Sequence, residues 1–245
     1  MTDPSLRLAT ICRQNGLPVD ESQLNRLRNF VALLIEWNSR INLVSRADIE
    51  NIWFGHILHS ISPLFFVHFD KGIRLLDLGS GGGLPGVPLA IVRSDLEVTC
   101  VDSIRKKTNA LQNIISTLGL LNVRVMNGRA EQLGNHGVTY DVVVSRAVGH
   151  LTDLVKWSRA VLAGGTTGTR LPGSEASPKR SFTYPFLLAM KGGDLDAEIE
   201  ATKIKTGERQ VTSLDIVFNG STEIGLEEKK IVIVELVPGK KKPKV

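Results

Sequence analysis

The chain has 245 residues, of which 42% are hydrophobic and 22% charged. These values are close to those of folded globular proteins, and the length suits one domain with a small appendage. No apolar run approaches the roughly 18 residues of a membrane span, and Met1–Ala9 lacks the apolar centre of a secretory signal. We therefore expect a cytoplasmic protein that does not enter a membrane.

The cysteines and histidines argue against two kinds of site. Cys12 and Cys100 are the only cysteines and do not form a Cys-x-x-Cys unit, which speaks against a disulfide framework and favours a reducing compartment. The five histidines are scattered, and no spacing of His, Cys and Asp resembles a metal site. We expect no bound metal.

The net charge of +5 is a mild surplus for a chain of this length. Part of the surplus lies in a basic tail, 239–245, which contains Lys240, Lys241, Lys242 and Lys244. Such a run is typical of a solvated chain end, and it also permits weak electrostatic contact with a polyanion. Charge alone allows a nucleic-acid partner without establishing one.

The first part of the chain, residues 1–70, has a helical pattern. Apolar residues recur at helical spacing between Asp20 and Asn38, and Asp20 followed by Gln23 has the signature of a capping box. A second helical stretch is predicted over Ile49–Leu64, ending near Pro63. We interpret these residues as a small helical N-terminal region.

Residues 71–245 change to an α/β pattern. Strands are predicted at 73–78, 97–101, 123–126, 140–145 and 186–190, and helices at 85–92, 105–118, 151–162 and 194–201. Strands that alternate with helices predict a Rossmann-like, mainly parallel sheet with helices on both faces. The segments 211–218 and 230–237 are predicted to form an antiparallel edge hairpin. Loop 163–183, rich in Gly, Ser, Thr and Pro, is predicted to be long and flexible.

The segment between the first strand and the first helix, 75–86, reads LLDLGSGGGLPG. Its glycines allow a sharp turn and a close approach of a ligand to the main chain, and the helix that follows presents free N–H groups. In an open α/β sheet such a loop lies at the carboxyl edge of the strands, where ligands bind. Asp77, Ser80, Gly81 and Gly83 are therefore candidates for binding a cofactor.

Two cofactors compete for this loop. Gly81-x-Gly83-x-x-Gly86 fits the dinucleotide fingerprint, which is weak when it stands alone. Asp77, however, lies two residues before Gly79, the first glycine of the loop, as in class I methyltransferases that depend on S-adenosylmethionine. A carboxylate there can hold the amino acid part of that cofactor, directly or through the loop and water, whereas a pyrophosphate gains nothing from it. The pattern favours the methyltransferase, and a purely structural turn stays open.

Polar residues follow three further strands. Asp102 comes 19 residues after Gly83, where an acid can accept both ribose hydroxyls or cap the next helix. Glu131 follows the third strand, where it can contact adenine or lie on an exposed turn. Arg146 follows the fourth strand, and an arginine at a buried edge is costly unless it has an anionic partner. That partner is predicted to be Asp77 or Glu131, the cofactor carboxylate, or an RNA phosphate.

Several longer motifs run through most of the chain: WNSRINLVS at 37–45, HIL at 56–58, 77–91 with its Leu-Pro-Gly, Asp102-Ser103, Ser145-Arg146-Ala147, and AMKG at 189–192. With them the chain resembles the bacterial small-subunit rRNA guanine-N7 methyltransferase family, RsmG, also called glucose-inhibited division protein B. The first motif and the Gly-Leu-Pro-Gly run are far more specific than the glycine loop alone.

The resemblance implies transfer of a methyl group from S-adenosylmethionine to N7 of a guanine in the 530 loop of 16S rRNA, with the small ribosomal subunit as partner. By position it implies cofactor binding at Gly79, Leu84, Asp102, Ala130, Glu131 and Arg146. It also implies that five residues are candidates for the side of the site that holds the target base: Asn42, Ser45, His56, Arg146 and Lys191. These are positioning roles, because the N7 lone pair attacks without losing a proton and needs no general base.

The chain also departs from the family. His59 stands where the family usually has Asp, which changes the hydrogen bonding that this Asp would supply near the cleft, and loop 163–183 is longer than is typical. Three alternatives stay open: a methyltransferase acting on another substrate, an NAD-dependent oxidoreductase, and a non-catalytic RNA- or ribosome-binding protein. The sequence leaves the oligomeric state open and favours a monomer.

Overall fold

A computed structural model of the chain describes residues 3–45, 48–133, 138–162 and 179–236. Most of the predicted loop 163–183 and all of the basic tail 239–245 lie outside the described residues. Of that loop, 179–183 is described, and Arg180 forms an isolated β-bridge with Val67. Within the described residues, no helix is long and apolar enough to cross a membrane.

The centre of the structure is a seven-stranded sheet with the order β3-β2-β1-β4-β5-β7-β6. The strands are β1 Arg74–Leu78, β2 Glu97–Asp102, β3 Val123–Asn127, β4 Val142–Arg146, β5 Phe186–Gly192, β6 Val211–Asp215 and β7 Lys229–Glu235. The first five are parallel to one another, whereas β7 is antiparallel to both β5 and β6. The predicted Rossmann-like sheet with an antiparallel edge hairpin is confirmed.

Nine α-helices are described around this sheet. They are α1 Pro4–Gln14, α2 Glu21–Asn38, α3 His59–Ile61, α4 Pro63–Phe66, α5 Gly86–Val92, α6 Arg105–Leu118, α7 Ala130–Leu133, α8 Leu151–Leu162 and α9 Asp196–Thr206. A π-helix, Ile52–Leu58, precedes α3, and a short 3₁₀ helix, Thr222–Ile224, lies between β6 and β7.

Alternate residues of the central strands face opposite sides of the sheet, and both sides are covered. Leu75 and Val144 belong to one buried cluster, together with residues of α1, α2, α5 and α6. Leu76 and Val143 belong to a second cluster, together with residues of α8. This period of two explains why the strands read as continuous apolar runs. The N-terminal helices share the first cluster, and the division into regions 1–70 and 71–245 stays a prediction.

Local signals placed several elements correctly. The capping box of α2 is present, with Asp20 and Gln23 each bonding the other's main chain. Helix α6 has the predicted bounds and ends at Gly119 in the left-handed conformation. One prediction was wrong: Pro63 begins a helical turn rather than ending one, because a missing N–H is harmless in the first turn. Helix α1 lies within the predicted helical region, although it had no prediction of its own.

Gly86, the first residue of α5, lies against the end of β1. A larger side chain at this position should therefore destabilise the protein measurably. A Cβ on Gly86 would lie 2.7 Å from Asp77 Oδ2 and 3.0 Å from Cys100 Sγ, both in buried residues. We expect Gly86→Ala to lower the free energy of unfolding by about 1–3 kcal/mol, the usual cost of overpacking. Urea denaturation measures it.

Gly128→Ala is the matched control for this substitution. The nearest atom to its added Cβ would be 4.0 Å away, and Gly128 is not in the left-handed conformation. Equal stability changes in the two variants would show that the contact between Gly86 and Asp77 is not tight.

Candidate active site

A cleft of about 750 Å³ opens at the carboxyl edge of the parallel strands, where an open α/β sheet binds its ligands. The loops that follow β1, β2, β3 and β4 line it, and residues 43–45, Asp48 and His56 line it from the N-terminal region. Its charged and polar lining consists of Ser45, Asp48, His56, Ser80, Asp102, Ser103, Lys107, Arg129, Glu131 and Arg146.

The glycine loop is held against β2 by its own backbone. Gly79 and Ser80 both donate their N–H groups to the Val101 carbonyl, at 2.8 and 2.9 Å. Gly79 has a φ of +74°, and a Cβ on it would overlap a methyl group of Val148. Only glycine satisfies both the backbone conformation and this approach of the β4–α8 loop.

Asp77 lies beneath the loop rather than in the cleft. Its side chain is fully buried, and Oδ2 accepts the Gly86 N–H at 2.8 Å. Oδ1 is buried and has no hydrogen-bond partner among the described residues. Burial raises the pKa of Asp77 to about 7, against the opposing effect of the Gly86 N–H. Of the two ways in which Asp77 was predicted to act, this position favours action through the loop.

Asp102, unlike Asp77, lines the cleft. Its Oδ2 accepts the Gly81 N–H at 3.0 Å and its Oδ1 accepts the Ile104 N–H at 2.8 Å. These bonds fix the carboxylate between the glycine loop and the start of α6. Because α6 has Ile104 at its N-cap and no side-chain cap, the alternative that Asp102 caps this helix is wrong.

Arg146 makes contacts that the sequence did not predict. Its Nη1 donates to the Gly55 carbonyl at 3.3 Å, and its Nη2 donates to His56 Nδ1 at 2.8 Å. No carboxylate of the described residues forms an ion pair with it, so the predicted pairing with Asp77 or Glu131 is wrong. Burial lowers the pKa of Arg146 to about 10, which leaves the guanidinium charged at neutral pH.

The hydrogen bond from Arg146 fixes the state of His56. A guanidinium has no acceptor, so His56 Nδ1 must be the unprotonated nitrogen of a neutral ring. Its Nε2 lies 3.9 Å from Asp48 Oδ2. Burial and the charge of Arg146 lower the pKa of His56 to about 4. His59 is buried one turn further on, and burial with the charge of Arg146 lowers its pKa to about 3.

The structure brings most of the predicted site residues to the cleft. The cleft lining includes these predicted residues: Ser45, His56, Gly79, Ser80, Gly81, Leu84, Asp102, Glu131 and Arg146. Asp77 and Gly83 lie below it, where a Cβ on Gly83 would be 2.7 Å from a methyl group of Leu111. Ala130 begins α7, next to Glu131. Asn42 is exposed outside the lining, and Lys191 lines a neighbouring cavity.

Sequence reasoning missed a buried amide that shapes the cleft. Asn38 Oδ1 accepts the N–H groups of Leu43 and Val44 at 2.7 and 2.8 Å, and so turns the segment that contains Ser45 toward the glycine loop. The motif 37–45 includes Asn38, but its role depends on a five-residue turn that periodicity does not reveal. Val148 and Trp157 also line the cleft, and no local signal marked them.

The raised pKa of Asp77 predicts a pH-dependent stability. In the wild type the unfolded carboxyl loses its proton near its ordinary pKa, whereas the folded one keeps it up to about 7. Wild-type stability therefore declines as the pH rises through this window, and Asn, which does not titrate, escapes the decline. We expect Asp77→Asn to gain on the order of a few kcal/mol relative to the wild type between pH 4 and 7.

Urea denaturation at several pH values measures this difference. Asp95→Asn serves as a contrast, because hydrogen bonds from Arg93 lower the pKa of Asp95. The ionised Asp95 stabilises the fold above its ordinary pKa. The free energy of unfolding of Asp95→Asn should therefore fall below that of the wild type as the pH rises from very acidic values. A stability difference for Asp77→Asn that does not change with pH would mean that Asp77 is ionised throughout.

Comparison with known proteins places the chain in a family. Residues 23–178 match the family GidB, described as rRNA small subunit methyltransferase G. Ribosomal RNA small subunit methyltransferase G of Bacteroides fragilis is 39% identical over 187 residues, which are 76% of this chain and 82% of that protein. The protein of the same name from Chlorobium luteolum is 33% identical over 228 residues, which are 92% and 87% of the two chains.

The solved structure of a mutant of MtNAS shares the fold at 16% identity, with a TM-score of 0.52 over 88% of this chain and 75% of that chain. The Rossmann-like strand order is the fold expected of the methyltransferases to which the sequence is related. The chain belongs to the GidB family of ribosomal RNA small subunit methyltransferases G.

Proposed function

We propose that this protein transfers the methyl group of S-adenosylmethionine to N7 of a guanine in the 530 loop of 16S rRNA, within the small ribosomal subunit. The observation that carries the proposal is the cleft itself, in which the glycine loop, Asp102 and Arg146 meet at the carboxyl edge of the sheet in a member of this family. Family membership favours this cofactor over the dinucleotide that the same glycine pattern also permitted.

The residues present fit S-adenosylmethionine. A cleft of about 750 Å³ is within the usual range of small-molecule sites. Asp102 uses one lone pair on each oxygen for a backbone N–H, and a carboxylate has further lone pairs to accept two ribose hydroxyls. The Ser80 hydroxyl, at the base of the cleft, has no partner among the described residues. When bound, the cofactor supplies an electrophilic methyl group on a sulfonium.

The geometry supports a mechanism without a general base. His56 lines the cleft, but its Nδ1 is occupied by Arg146 and its pKa is about 4, so it is a poor proton acceptor at neutral pH. Guanine N7 attacks through an in-plane lone pair and releases no proton. The task of the chain is therefore to hold N7 in line with the methyl group and to accommodate the positive charge that the base acquires. Asp48, at the rim of the cleft, has the appropriate charge.

The position of N7 in an RNA helix restricts the conformation in which the target guanine can react. N7 lies in the deep, narrow major groove of an RNA helix, which side chains do not readily enter. The target guanine must be unpaired or turned out of its stack before it reaches the cleft. A net charge of +5 is low for a protein that grips long naked RNA, and it suits a substrate presented together with ribosomal proteins.

Incubation with labelled S-adenosylmethionine and small subunits that lack the modification tests the proposal directly. We expect the label in 7-methylguanosine after nucleoside analysis, with lower incorporation into protein-free 16S rRNA. Label in a different nucleoside would overturn the proposed atom and base. Cofactor binding with no label in RNA would overturn the proposed reaction.

Arg146 gives a test of positioning. Arg146→Lys keeps the charge, but a single ammonium cannot reproduce the fork that reaches both Gly55 and His56. We expect methylation of small subunits to fall about tenfold or more, the usual effect of losing a charged hydrogen bond, and Arg146→Gln to lose more. Arg40→Gln is the control, because Arg40 is exposed and lies outside the cleft. Wild-type activity in Arg146→Lys would show that the fork is not needed.

A further inference from the structure

A second cavity, of about 290 Å³, lies beside the cleft. The two share Ala147 and Val148, which follow β4, so the cavities adjoin along this segment, which is the common wall of both. The far side of the second cavity is formed by the end of β5 and the start of α9. Apolar side chains of Leu154, Met190 and Leu195 line it, and Lys191 and Glu198 are its charged residues.

Lys191 and Glu198 form a shielded ion pair. Lys191 Nζ lies 2.8 Å from Glu198 Oε1, and the two side chains are 16% and 22% exposed. Oε1 also accepts the Leu151 N–H at 2.6 Å, and Lys191 donates to the Gly149 carbonyl at 3.2 Å. The Leu151 hydrogen bond and the ion-pair distances to Lys191 and His150 are to Oε1, and Oε2 accepts no hydrogen bond from the described part of the chain.

We propose that this cavity receives the Watson–Crick edge of the target guanine, with Glu198 Oε2 accepting from N1–H and the N2 amino group and Lys191 donating to O6. The proposal rests on the proposed function. Proteins that turn a base out of its stack read it by hydrogen bonds to this edge and by apolar contacts to its faces. Only guanine, among the four bases of RNA, has an acceptor followed by two donors along it, and the pair offers a donor followed by an acceptor.

The placement also orients the reacting atom. The Watson–Crick edge, the N7 edge and the sugar edge of guanine point in three different directions. With the first edge in the cavity, N7 can face the cleft where the two cavities adjoin at Ala147 and Val148, while the ribose points to solvent and the rest of the RNA. The apolar side chains of Leu154, Met190 and Leu195 are available to pack against the faces of the base.

Glu198 gains in importance as the reaction proceeds. The N7–carbon bond forms as the sulfur–carbon bond breaks, no proton leaves the base, and the ring becomes a cation whose N1–H is a stronger donor. A hydrogen bond from N1–H to a carboxylate is therefore stronger in the transition state than in the ground state, and such interactions raise kcat. Burial raises the pKa of Glu198, but the bonds from Lys191 and Leu151 outweigh it, so the net direction is downward and the carboxylate stays ionised.

The same contacts also have a structural consequence, because they join α9 to the end of β5 and to the first turn of α8. If Glu198 has only a structural role, its loss should change different quantities than if it recognises the base. Loss of a structural tie lowers the unfolding free energy and, through the wall at Val148, the affinity for S-adenosylmethionine. Loss of base recognition lowers methylation and leaves both of the others unchanged.

Glu198→Gln separates the two roles. The amide oxygen can still accept the Leu151 N–H, whereas the amide nitrogen presents donors to the donors of guanine. We expect kcat for 7-methylguanosine formation on small subunits to fall about tenfold or more, with the Kd for S-adenosylmethionine within error of the wild type. The urea midpoint should fall only slightly, through the lost ion pair with Lys191. Lys191→Met should lower methylation as well, through the lost contact to O6.

Glu208→Gln is the matched control. Glu208 accepts from Arg159 at 2.6 Å and so joins the other end of α8 to the end of α9, far from the cavity. We expect it to methylate at the wild-type rate. If the wild type forms 7-methylguanosine and Glu198→Gln does so equally fast, or loses stability and cofactor affinity in proportion to activity, the cavity is not the guanine site. If the wild type forms no 7-methylguanosine, the proposed function itself fails.

Discussion

The hydrogen bond from the Gly86 N–H to Asp77 Oδ2 joins the end of β1 to the first turn of α5, and the shape of the cleft depends on it. The bond forms in a fully buried place, where an unpaired N–H is expensive. It holds the glycine loop from below while Val101 and Asp102 hold it from the side. The loop is thereby fixed before any ligand arrives, which spares the binding step the cost of ordering it.

The same constraint explains why the neighbouring residues are small. Gly86 leaves room for Asp77 and Cys100, and Gly79 leaves room for Val148 from the β4–α8 loop. Because Val148 also lines the second cavity, the common wall of the two pockets is packed directly on the glycine loop. A shift of the loop would move that wall, and with it the alignment on which an in-line transfer depends.

The sequence was a good guide wherever the signal was local. The capping box of α2, the bounds of α6 and the edge hairpin were each predicted from short stretches of sequence. So were the loops that line the cleft, since the carboxyl ends of parallel strands meet at one edge. The family resemblance added Ser45 and His56, which spacing alone would not have brought to the cleft.

What the sequence did not reveal depends on contacts between distant segments. The partners of Arg146 are Gly55 and His56, about 90 residues earlier, in a π-helix that no periodicity predicted. Glu198 was overlooked because nothing near it in the chain marks it; only the fold brings it to Lys191 and Leu151. The exposed position of Asn42 likewise follows from the turn that the buried Asn38 imposes.

The electrostatics of Arg146 link these distant contacts to function. Its neighbours are two imidazoles with pKa values of about 4 and 3, both neutral at pH 7, and Asp77, whose pKa is about 7. The guanidinium thus stays charged with little compensation from the described residues around it.

A buried cation without an anionic partner is costly, and an anion that enters the cleft reduces the cost. Arg146 therefore favours a cofactor carboxylate or an RNA phosphate close to its own position in the cleft, whereas the base, which becomes a cation, is better held beside Glu198 in the second cavity. This separation of charge lets one site bind an anionic group and still tolerate a cationic product.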